Sequence, residues 1–378
     1  MSQSLNILQT CFSSSWGGLE MQALEVTKQL YNRKHDVWLA CTKGSKLEHE
    51  AKAVGIKVLS LNVSGYFHPL VIAKLARFLS KESIDIIHCQ HSKDISTLVP
   101  TKILSQKKCP IILSKRVGSY ISKKDLFHRF TYSHIDRVLA ISNVIRKNVI
   151  ETTPIHPERV QVLHDAVDTD LFSIGKINRV EIRNGLGFTN DHIVVGFVGR
   201  FSPGKGHEEF LNAAALLKNR YSNLRFVIVG EASFREKAYE ENIRTMCKSL
   251  KLEEVVHFTG YRKDIPELMA SFDIFAFPSH AEAFGVVLIE AMAMERPVVS
   301  TNCDGVLDIV VDGTTGIFVN PQNAQQLADA LEKLCNDANL RHSMGKAGRK
   351  RVEESFSQRE QIAKLEEIYN NTILNNIK

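Results

Sequence analysis

Two glutamates eight positions apart are the first residues that could do chemistry. Glu282 lies in a short polar loop after an apolar run that ends at Phe277, and Glu290 lies in an apolar stretch that predicts a compact helix. A carboxylate in so apolar a helix is costly to bury without a partner. Glu290 is therefore half-exposed, part of an ordinary ion pair, or a group that binds a ligand.

The turn between the two glutamates predicts a site for anions and hydroxyl groups. We expect Phe284, Gly285, Val286 and Val287 to form the first turn of the helix, where backbone N–H groups lack intrahelical acceptors. The positive end of the helix dipole favours an anion at this position. The two carboxylates should lie roughly 9 Å apart along the helix axis, so they would contact different parts of one long ligand.

A glycine-rich basic loop predicts a phosphate site. After the apolar run Ile193–Val198 the chain reads GRFSPGKG at residues 199–206. This fits G-x-x-x-x-G-K, but Gly206 stands where a P-loop needs Ser or Thr to hold magnesium. Arg200 and Lys205 could hold a diphosphate and stabilise its negative charge, unless the loop is simply a solvated basic turn. We expect phosphates here without a metal ion.

Other loops contain weaker candidates. Gly17 and Gly18 follow an apolar run and open a helix, which suits a phosphate, although a plain tight turn explains them equally. Tyr261 follows another such run and could stack on a base, although aromatic residues there more often pack. His91 follows a third run, where a lone histidine is usually structural.

These motifs follow β-rich runs, and the runs predict the elements that position them. Short β-rich runs alternate with amphipathic stretches from Leu5 to Leu163 and again from His192 to Ser300. The alternation predicts an α/β fold of two doubly wound parallel-sheet domains, at residues 1–170 and 185–355, joined by a polar stretch. Parallel sheets bind ligands at the carboxyl ends of their strands, so we expect the domains to face each other across a cleft.

Composition excludes several classes of protein. The chain has 378 residues, of which 44% are hydrophobic and 24% charged, and its longest apolar stretch, 286–294, is interrupted by Glu290. It lacks the roughly 20 apolar residues of a membrane span and a recognisable secretory signal, so we expect a cytoplasmic protein. The seven cysteines are scattered without a C-x-x-C pair, which predicts reduced core residues and argues against zinc.

Charge is distributed unevenly along the chain. Residues 1–165 carry 23 Lys and Arg against 13 Asp and Glu, whereas the remaining residues carry 25 against 29. The basic half predicts an acidic partner, such as an anionic membrane face or a phosphorylated lipid acceptor. No nucleic-acid motif accompanies the charge, so nucleic acid is not expected. Tyr120–Phe130 mixes aromatic and basic residues and suits a membrane surface or acceptor docking.

The segments PSHAEAFGVVLIEAMA and GRFSPGKG resemble the signatures of retaining family-4 glycosyltransferases of the GT-B fold. The resemblance covers nearly the whole chain, including a closing helix at 356–378 that would cross back to the first domain. It implies a hexosyltransferase-type enzyme that moves a sugar from a nucleotide-diphosphate-sugar to a glycan or lipid-linked acceptor in surface polysaccharide or lipopolysaccharide biosynthesis. The enzyme would work at the inner face of the cytoplasmic membrane, without a metal cofactor.

The same resemblance implies roles for individual residues. The first domain would bind the acceptor and the second the nucleotide-sugar donor, with Glu282 beside the donor sugar and Glu290 on the ribose. Arg200 and Lys205 would hold the leaving diphosphate. The remaining donor-binding residues implied by the family pattern are Gly17, Gly18, Tyr261, Arg262, Phe284, Gly285, Val286 and Val287.

The sequence departs from the family pattern on the acceptor side. Many relatives carry a histidine where this chain has Arg116, and a guanidinium cannot act as a general base. Arg116 could instead hold a phosphate or carboxylate, and His91 is a second acceptor-side candidate. Asp165 replaces the usual Asn, and Asp168-Thr-Asp170, although a formal D-x-D, matches the family's linker and is interpreted as structural. A GT-B-fold epimerase and a non-catalytic nucleotide-sugar-binding module are the alternatives.

Overall fold

The structure is a computed structural model, and it describes residues 4–63 and 68–377. The chain divides into two compact units. The first comprises Met1–Asp165 together with Arg359–Lys378, and the second comprises Ala166–Gln358.

The first unit contains a parallel sheet. Within the described residues it has seven strands in the order β3-β2-β1-β4-β5-β6-β7. The order changes direction between β1 and β4, whose register pairs Ile7 with Ile86. The strands are β1 (Asn6–Cys11), β2 (Asp36–Thr42), β3 (Lys57–Leu61), β4 (Ile86–Cys89), β5 (Ile111–Lys115), β6 (Arg137–Ala140) and β7 (Val160–Val162).

Amphipathic helices cover this sheet because their apolar residues recur at helical spacing. In α3, for example, the buried residues Val71, Ile72, Leu75, Ala76 and Leu79 lie on one face. The helices are α1 (Gly18–Asn32), α2 (Lys46–Ala53), α3 (Pro69–Lys81), α4 (Ile95–Ser105), α5 (Leu126–Ser133) and α6 (Asn143–Thr152).

The second unit is built the same way. Its sheet, in the part of the chain that the structure describes, is parallel with the order β10-β9-β8-β11-β12-β13 and changes direction between β8 and β11. The strands are β8 (Ile193–Val198), β9 (Leu224–Val229), β10 (Val256–Gly260), β11 (Ile274–Phe277), β12 (Val298–Thr301) and β13 (Gly316–Val319). The helices are α7 (Arg179–Gly185), α8 (His207–Leu217), α9 (Lys237–Ser249), α10 (Ile265–Ser271), α11 (Val286–Ala293), α12 (Val306–Ile309), α13 (Ala324–Asn336) and α14 (Ala338–Ser355).

The last helix, α15 (Gln358–Ile377), packs into the core of the first unit. Its Tyr369 is fully buried, accepts a hydrogen bond from Gln9 Nε2 (3.0 Å) and lies 2.5 Å from His88 Nδ1. His88 Nε2 lies 2.8 Å from Ser114 Oγ. Burial lowers the pKa of His88 to about 3, so its imidazole is neutral. This polar network fixes the C-terminal helix on the first sheet.

The structure corrects two details of the sequence prediction. The polar stretch that was expected to join the domains belongs to the second unit, because the division falls after Asp165 and α7 forms within the stretch. Residues 166–170, predicted in the first domain, therefore lie in the second unit. Strand β13 was not predicted, because its four residues follow directly on a turn-forming stretch.

All seven cysteines are free and buried, as the sequence predicts for reduced core residues. Among the helices of the described residues, none combines the length and apolar character required to cross a membrane.

Candidate functional site

The strongest candidate residues lie in two neighbouring loops of the second unit. One loop follows β8 and carries Arg200 and Lys205, and the other follows β11 and carries Glu282. Because β8 and β11 are adjacent where the strand order reverses, their carboxyl ends form the crevice in which open α/β sheets bind ligands.

Close backbone contacts hold the two loops together. The N–H of His280 donates to the carbonyl of Gly204 (2.8 Å). Gly206 has φ +85°, and a Cβ there would lie 2.2 Å from the carbonyl oxygen of Pro278. Only glycine fits this approach, which explains why residue 206 cannot be the Ser or Thr of a P-loop. His280 also pairs through Nε2 with Glu209 Oε1 on α8 (3.0 Å), an interaction that sequence reasoning missed.

Two predicted catalytic residues contact each other. Lys205 Nζ lies 2.7 Å from Glu282 Oε2, and both side chains are partly exposed. The Glu282 N–H donates to Asp304 Oδ2 (3.3 Å), and the Glu282 carbonyl accepts from Gly305 N–H (2.9 Å). The turn at residues 304–305 therefore supports Glu282, while the ammonium group remains within reach of a ligand.

Glu290 remains unpaired. Its carboxylate has no hydrogen-bond or ion-pair partner among residues 4–63 and 68–377, and the residue is partly buried on α11. Burial raises the pKa of Glu290 to about 7, since no neighbouring charge offsets the loss of hydration. Of the three alternatives left by the sequence, the ordinary ion pair is thus excluded. A partly buried acceptor without a donor is suited to ligand hydroxyl groups.

The helix between the glutamates begins later than predicted. It starts at Val286, with Gly285 as its N-cap in the left-handed region at φ +102°. Phe284 precedes the helix, is buried and packs against Phe356, with ring centroids 6.0 Å apart. Phe284 is therefore a core residue that anchors the loop, whereas Gly285 and Val286 provide the backbone at the start of the helix.

Arg200 and the residues after β10 lie at the margin of this crevice. Arg200 is largely exposed and lies 3.4 Å from Glu236, which also accepts a hydrogen bond from Ser202. Sequence reasoning missed Glu236 because 36 positions separate it from Arg200. Tyr261 is 61% exposed, so it is not the packing residue that the alternative supposed. Arg262 pairs with Asp264 (Nε to Oδ1, 2.7 Å), which raises the pKa of the guanidinium.

The first unit has a second candidate region at the change of strand direction between β1 and β4. His91 Nδ1 lies 2.9 Å from Asp94 Oδ1, and the other oxygen of this buried carboxylate accepts the Phe12 N–H (2.9 Å). Burial raises the pKa of Asp94 despite these bonds. A cavity of about 440 Å³ is lined by His91, Asp94, Lys93 and the serines at 13–15. The i, i+3 spacing of His91 and Asp94 was visible in the sequence.

Gly17 and Gly18 lie at the start of α1, but neither neighbouring atoms nor the backbone conformation requires glycine there. A Cβ at Gly18 would meet no atom within 4 Å, and φ of Gly17 is −158°, which is ordinary extended backbone. The Gly17 N–H already donates to Glu20 Oε2 (2.9 Å). This acidic cap occupies one donor of the predicted phosphate site.

Arg116 is neutralised within the first unit. Its Nε and Nη2 donate to the two carboxylate oxygens of Asp165 (3.3 and 3.1 Å), and Nη1 donates to Gln90 Oε1 (2.7 Å). Both charged side chains are buried. Asp165 thus balances the charge of Arg116 within this unit, and the placement of Arg116 on the acceptor side stays a prediction. Arg116 and Asp165, the two residues that depart from the family pattern, thus form an ion pair with each other.

Neither the predicted D-x-D nor any other described cluster is arranged for a metal ion. Asp168 Oδ1 accepts the N–H groups of Asp170 and Leu171 (2.9 and 3.0 Å), as in a turn cap. Within the described ranges, no three His, Cys, Asp or Glu side chains could together hold a metal ion.

Two family models match consecutive parts of the chain. The model described as Glycosyltransferase Family 4 matches residues 16–171, and the one described as Glycosyl transferases group 1 matches residues 178–351. Between them they cover both units.

Individual proteins agree with these matches. The capsular polysaccharide biosynthesis glycosyltransferase CapM of Staphylococcus aureus is 30% identical over 62% of this chain and 61% of its own length. This chain thus spans less than two thirds of the length of CapM, and the same holds for the D-inositol 3-phosphate glycosyltransferase of Corynebacterium aurimucosum, of which it covers 54%.

Solved structures show the fold. A glycosyltransferase from Rickettsia africae superposes with a TM-score of 0.89 at 23% identity, covering 98% of this chain and 99% of that one. HepE of Anabaena in complex with UDP and glucose gives 0.80 at 22% identity, covering 97% and 99%. These likenesses and the two parallel sheets confirm the predicted GT-B fold of two doubly wound domains.

Proposed function

The chain belongs to glycosyltransferase family 4, and from this premise we propose that it is a retaining glycosyltransferase. Its donor is a nucleotide-diphosphate-sugar, and its acceptor is a glycan or a lipid-linked glycan intermediate. The second unit binds the donor and the first unit binds the acceptor. A relative named for capsular polysaccharide biosynthesis favours a cell-surface polysaccharide or lipopolysaccharide product.

One observation carries the proposal: Glu290 is an unpaired, partly buried carboxylate on α11, the helix that follows the Glu282 loop, and the lysine and arginine of the neighbouring loop lie at the same edge of the sheet. A nucleotide-diphosphate-sugar has groups for each of these. Its ribose hydroxyls donate to Glu290, its diphosphate contacts Lys205 and Arg200, and its sugar hydroxyls donate to Glu282. Tyr261, being exposed, is free to stack on the base.

The proposed reaction needs charge stabilisation more than a protein nucleophile. As the bond between the anomeric carbon and the diphosphate oxygen breaks, its electron pair leaves with the diphosphate, and Lys205 and Arg200 stabilise that charge. The acceptor hydroxyl oxygen bonds to the anomeric carbon from the same face of the sugar, and the hydroxyl proton passes to the departing diphosphate. In our proposal no metal ion takes part.

The proposed acceptor site is formed by His91 and the cavity that it lines. Asp94 fixes the His91 ring through Nδ1, which leaves Nε2 to contact an acceptor hydroxyl. The basic first half of the chain favours an acidic acceptor and peripheral contact with an anionic membrane.

A thermal-shift panel of UDP, GDP, ADP, CMP and their sugar conjugates tests the donor site, because a ligand that binds only the folded state raises the melting temperature. UDP compounds come first, since HepE has been solved with UDP and with UDP-glucose. We expect one diphosphate to stabilise the protein, and Lys205→Ala and Glu290→Ala to lose the response. Lys346→Ala, an exposed site on α14, is the control that retains it.

Two results would contradict the proposal. If no nucleotide stabilised the protein, or if both site variants responded like the parent, the assigned donor site would be wrong. Conversion of the bound donor to an isomer without any acceptor would instead indicate an epimerase.

A further inference from the structure

One segment of the first unit exposes more large apolar side chains than its fold requires. The segment at residues 117–130, here called the 117–130 surface, connects β5 to α5 and includes the first half of that helix. Six of its apolar side chains are half exposed or more: Val117, Tyr120, Ile121, Leu126, Phe127 and Phe130.

Helix α5 presents its apolar residues to solvent. Leu126, Phe127 and Phe130 are spaced so that they share a face, and that face is exposed. The buried residues of the helix are instead Thr131 and Tyr132. A surface helix of a soluble domain normally turns its apolar stripe inward, so this outward stripe is available for a partner.

The segment is held in this orientation by hydrogen bonds to α6. The Ser119 N–H donates to Asn148 Oδ1 (2.7 Å), and Asn148 Nδ2 donates back to the Ser119 carbonyl (3.0 Å). The Lys123 N–H donates to the Thr152 carbonyl (2.6 Å). Asp125 caps α5 through the His128 N–H (3.1 Å). The apolar side chains are thus displayed by a fixed backbone.

The same surface is positively charged. Lys123, Lys124 and Arg129 have no carboxylate within ion-pair distance in the part of the chain that the structure describes. Arg129 Nε donates to the Lys124 carbonyl (2.9 Å), which places the two cations side by side. Both line a cavity of about 450 Å³ whose other walls include Ile150 and Ile155. A cavity lined by two cations and by apolar side chains suits a phosphate group joined to hydrocarbon.

We propose that the 117–130 surface binds the face of a lipid bilayer that contains anionic phospholipids. The apolar side chains enter the interfacial region, and Lys123, Lys124 and Arg129 lie over lipid phosphates. A second copy of the chain fits less well, because a two-fold contact would bring the same unpaired cations together. The proposal concerns the first unit alone and does not rest on the donor site.

Vesicle sedimentation tests the proposal, with vesicles of phosphatidylcholine alone and with added phosphatidylglycerol. We expect the full chain to sediment with the anionic vesicles only, and less so as salt is added. Lys124→Ala and Arg129→Ala should each weaken binding about fivefold. The triple variant Leu126→Ser/Phe127→Ser/Phe130→Ser should lose at least about tenfold.

The matched control is Leu171→Ser/Phe234→Ser, which removes exposed apolar side chains from the second unit and should bind as the parent does. Thermal melts followed by tryptophan fluorescence establish that the triple variant is folded. Equal sedimentation with neutral and anionic vesicles would overturn the proposal, as would a folded triple variant that binds normally. A concentration-dependent dimer that the triple variant abolishes would identify a second copy as the occupant instead.

Discussion

Replacing Glu290 by Gln should stabilise the protein above pH 7 and have little effect near pH 4.5. Desolvation raises the pKa of this carboxyl from its ordinary value of 4.5 to about 7. The folded chain therefore holds the proton more tightly than the unfolded chain, and ionising Glu290 costs stability. At about 1.4 kcal/mol for each unit of pKa, the cost above pH 7 is about 3 kcal/mol.

The direction of the pH dependence follows from the same shift. Below about pH 4.5 Glu290 is protonated in both states, so it adds no pH dependence. Between about pH 4.5 and 7 the folded state binds more protons than the unfolded state, so stability falls as pH rises. Gln has the shape of protonated Glu and does not ionise. The variant's advantage should thus grow from near zero at pH 4.5 to about 3 kcal/mol at pH 8.

Calorimetry and tryptophan fluorescence can follow the unfolding of the two units separately. Glu290 is in the second unit, and for a unit of this size about 3 kcal/mol corresponds to a rise of roughly 6–12 °C in melting temperature. Calorimetry should detect that rise. Trp16 and Trp38, the two tryptophans of the chain, are both in the first unit, so their fluorescence should report an unchanged melt.

Glu241→Gln is the matched control, since Glu241 is an exposed glutamate on α9 of the same unit. It should show no stabilisation at either pH. A difference between Glu290→Gln and the parent that is the same at pH 5 and pH 8 would refute the reasoning, because it would mean that the Glu290 carboxylate is hydrated or paired in solution.

Two further predictions concern charged groups in loops. Lys205→Ala should lower kcat by roughly 10²- to 10³-fold, the scale for losing one preorganised charge stabiliser. The turnover is measured by the release of nucleoside diphosphate. A folded Lys205→Ala variant with parental turnover would exclude the proposed role. Arg116→Ala should cost roughly 3–5 kcal/mol in the first unit, because Asp165 is left buried and unpaired. Urea unfolding followed by tryptophan fluorescence should show Arg116→Ala/Asp165→Ala losing less than the two single changes combined, whereas additive losses would show that the pair is not coupled.

The sequence was sufficient to predict the fold and the loops that carry the candidate residues. Alternating β-rich and amphipathic stretches identify most of the strands, and the basic loop at 199–206 and Glu282 follow strands whose carboxyl ends meet. The strands and the loops that follow them can be predicted because strand periodicity and glycine positions are local features of the sequence.

Pairings between distant residues could not be predicted in this way. Arg116 and Asp165 are 49 positions apart, and Arg200 and Glu236 are 36 apart. In the sequence, each of these four residues is a charged residue whose partner is not visible nearby. Only the parallel order of the strands brings them together. The sequence therefore left Arg116 as a candidate for holding an anionic ligand and did not reveal that Asp165 is its partner.

Arg116 and Glu290 illustrate the difference between a buried charge that has a partner in the protein and one that has none. Arg116 is buried with a carboxylate and an amide that use three of its nitrogen atoms, so its burial needs no ligand to explain it. Glu290 has no such partner in the described part of the chain and is kept at a cost to stability. An uncompensated cost persists where function requires it. The unpaired carboxylate is therefore the better guide to the ligand, and the second unit, which carries Glu290, is where a donor should be sought first.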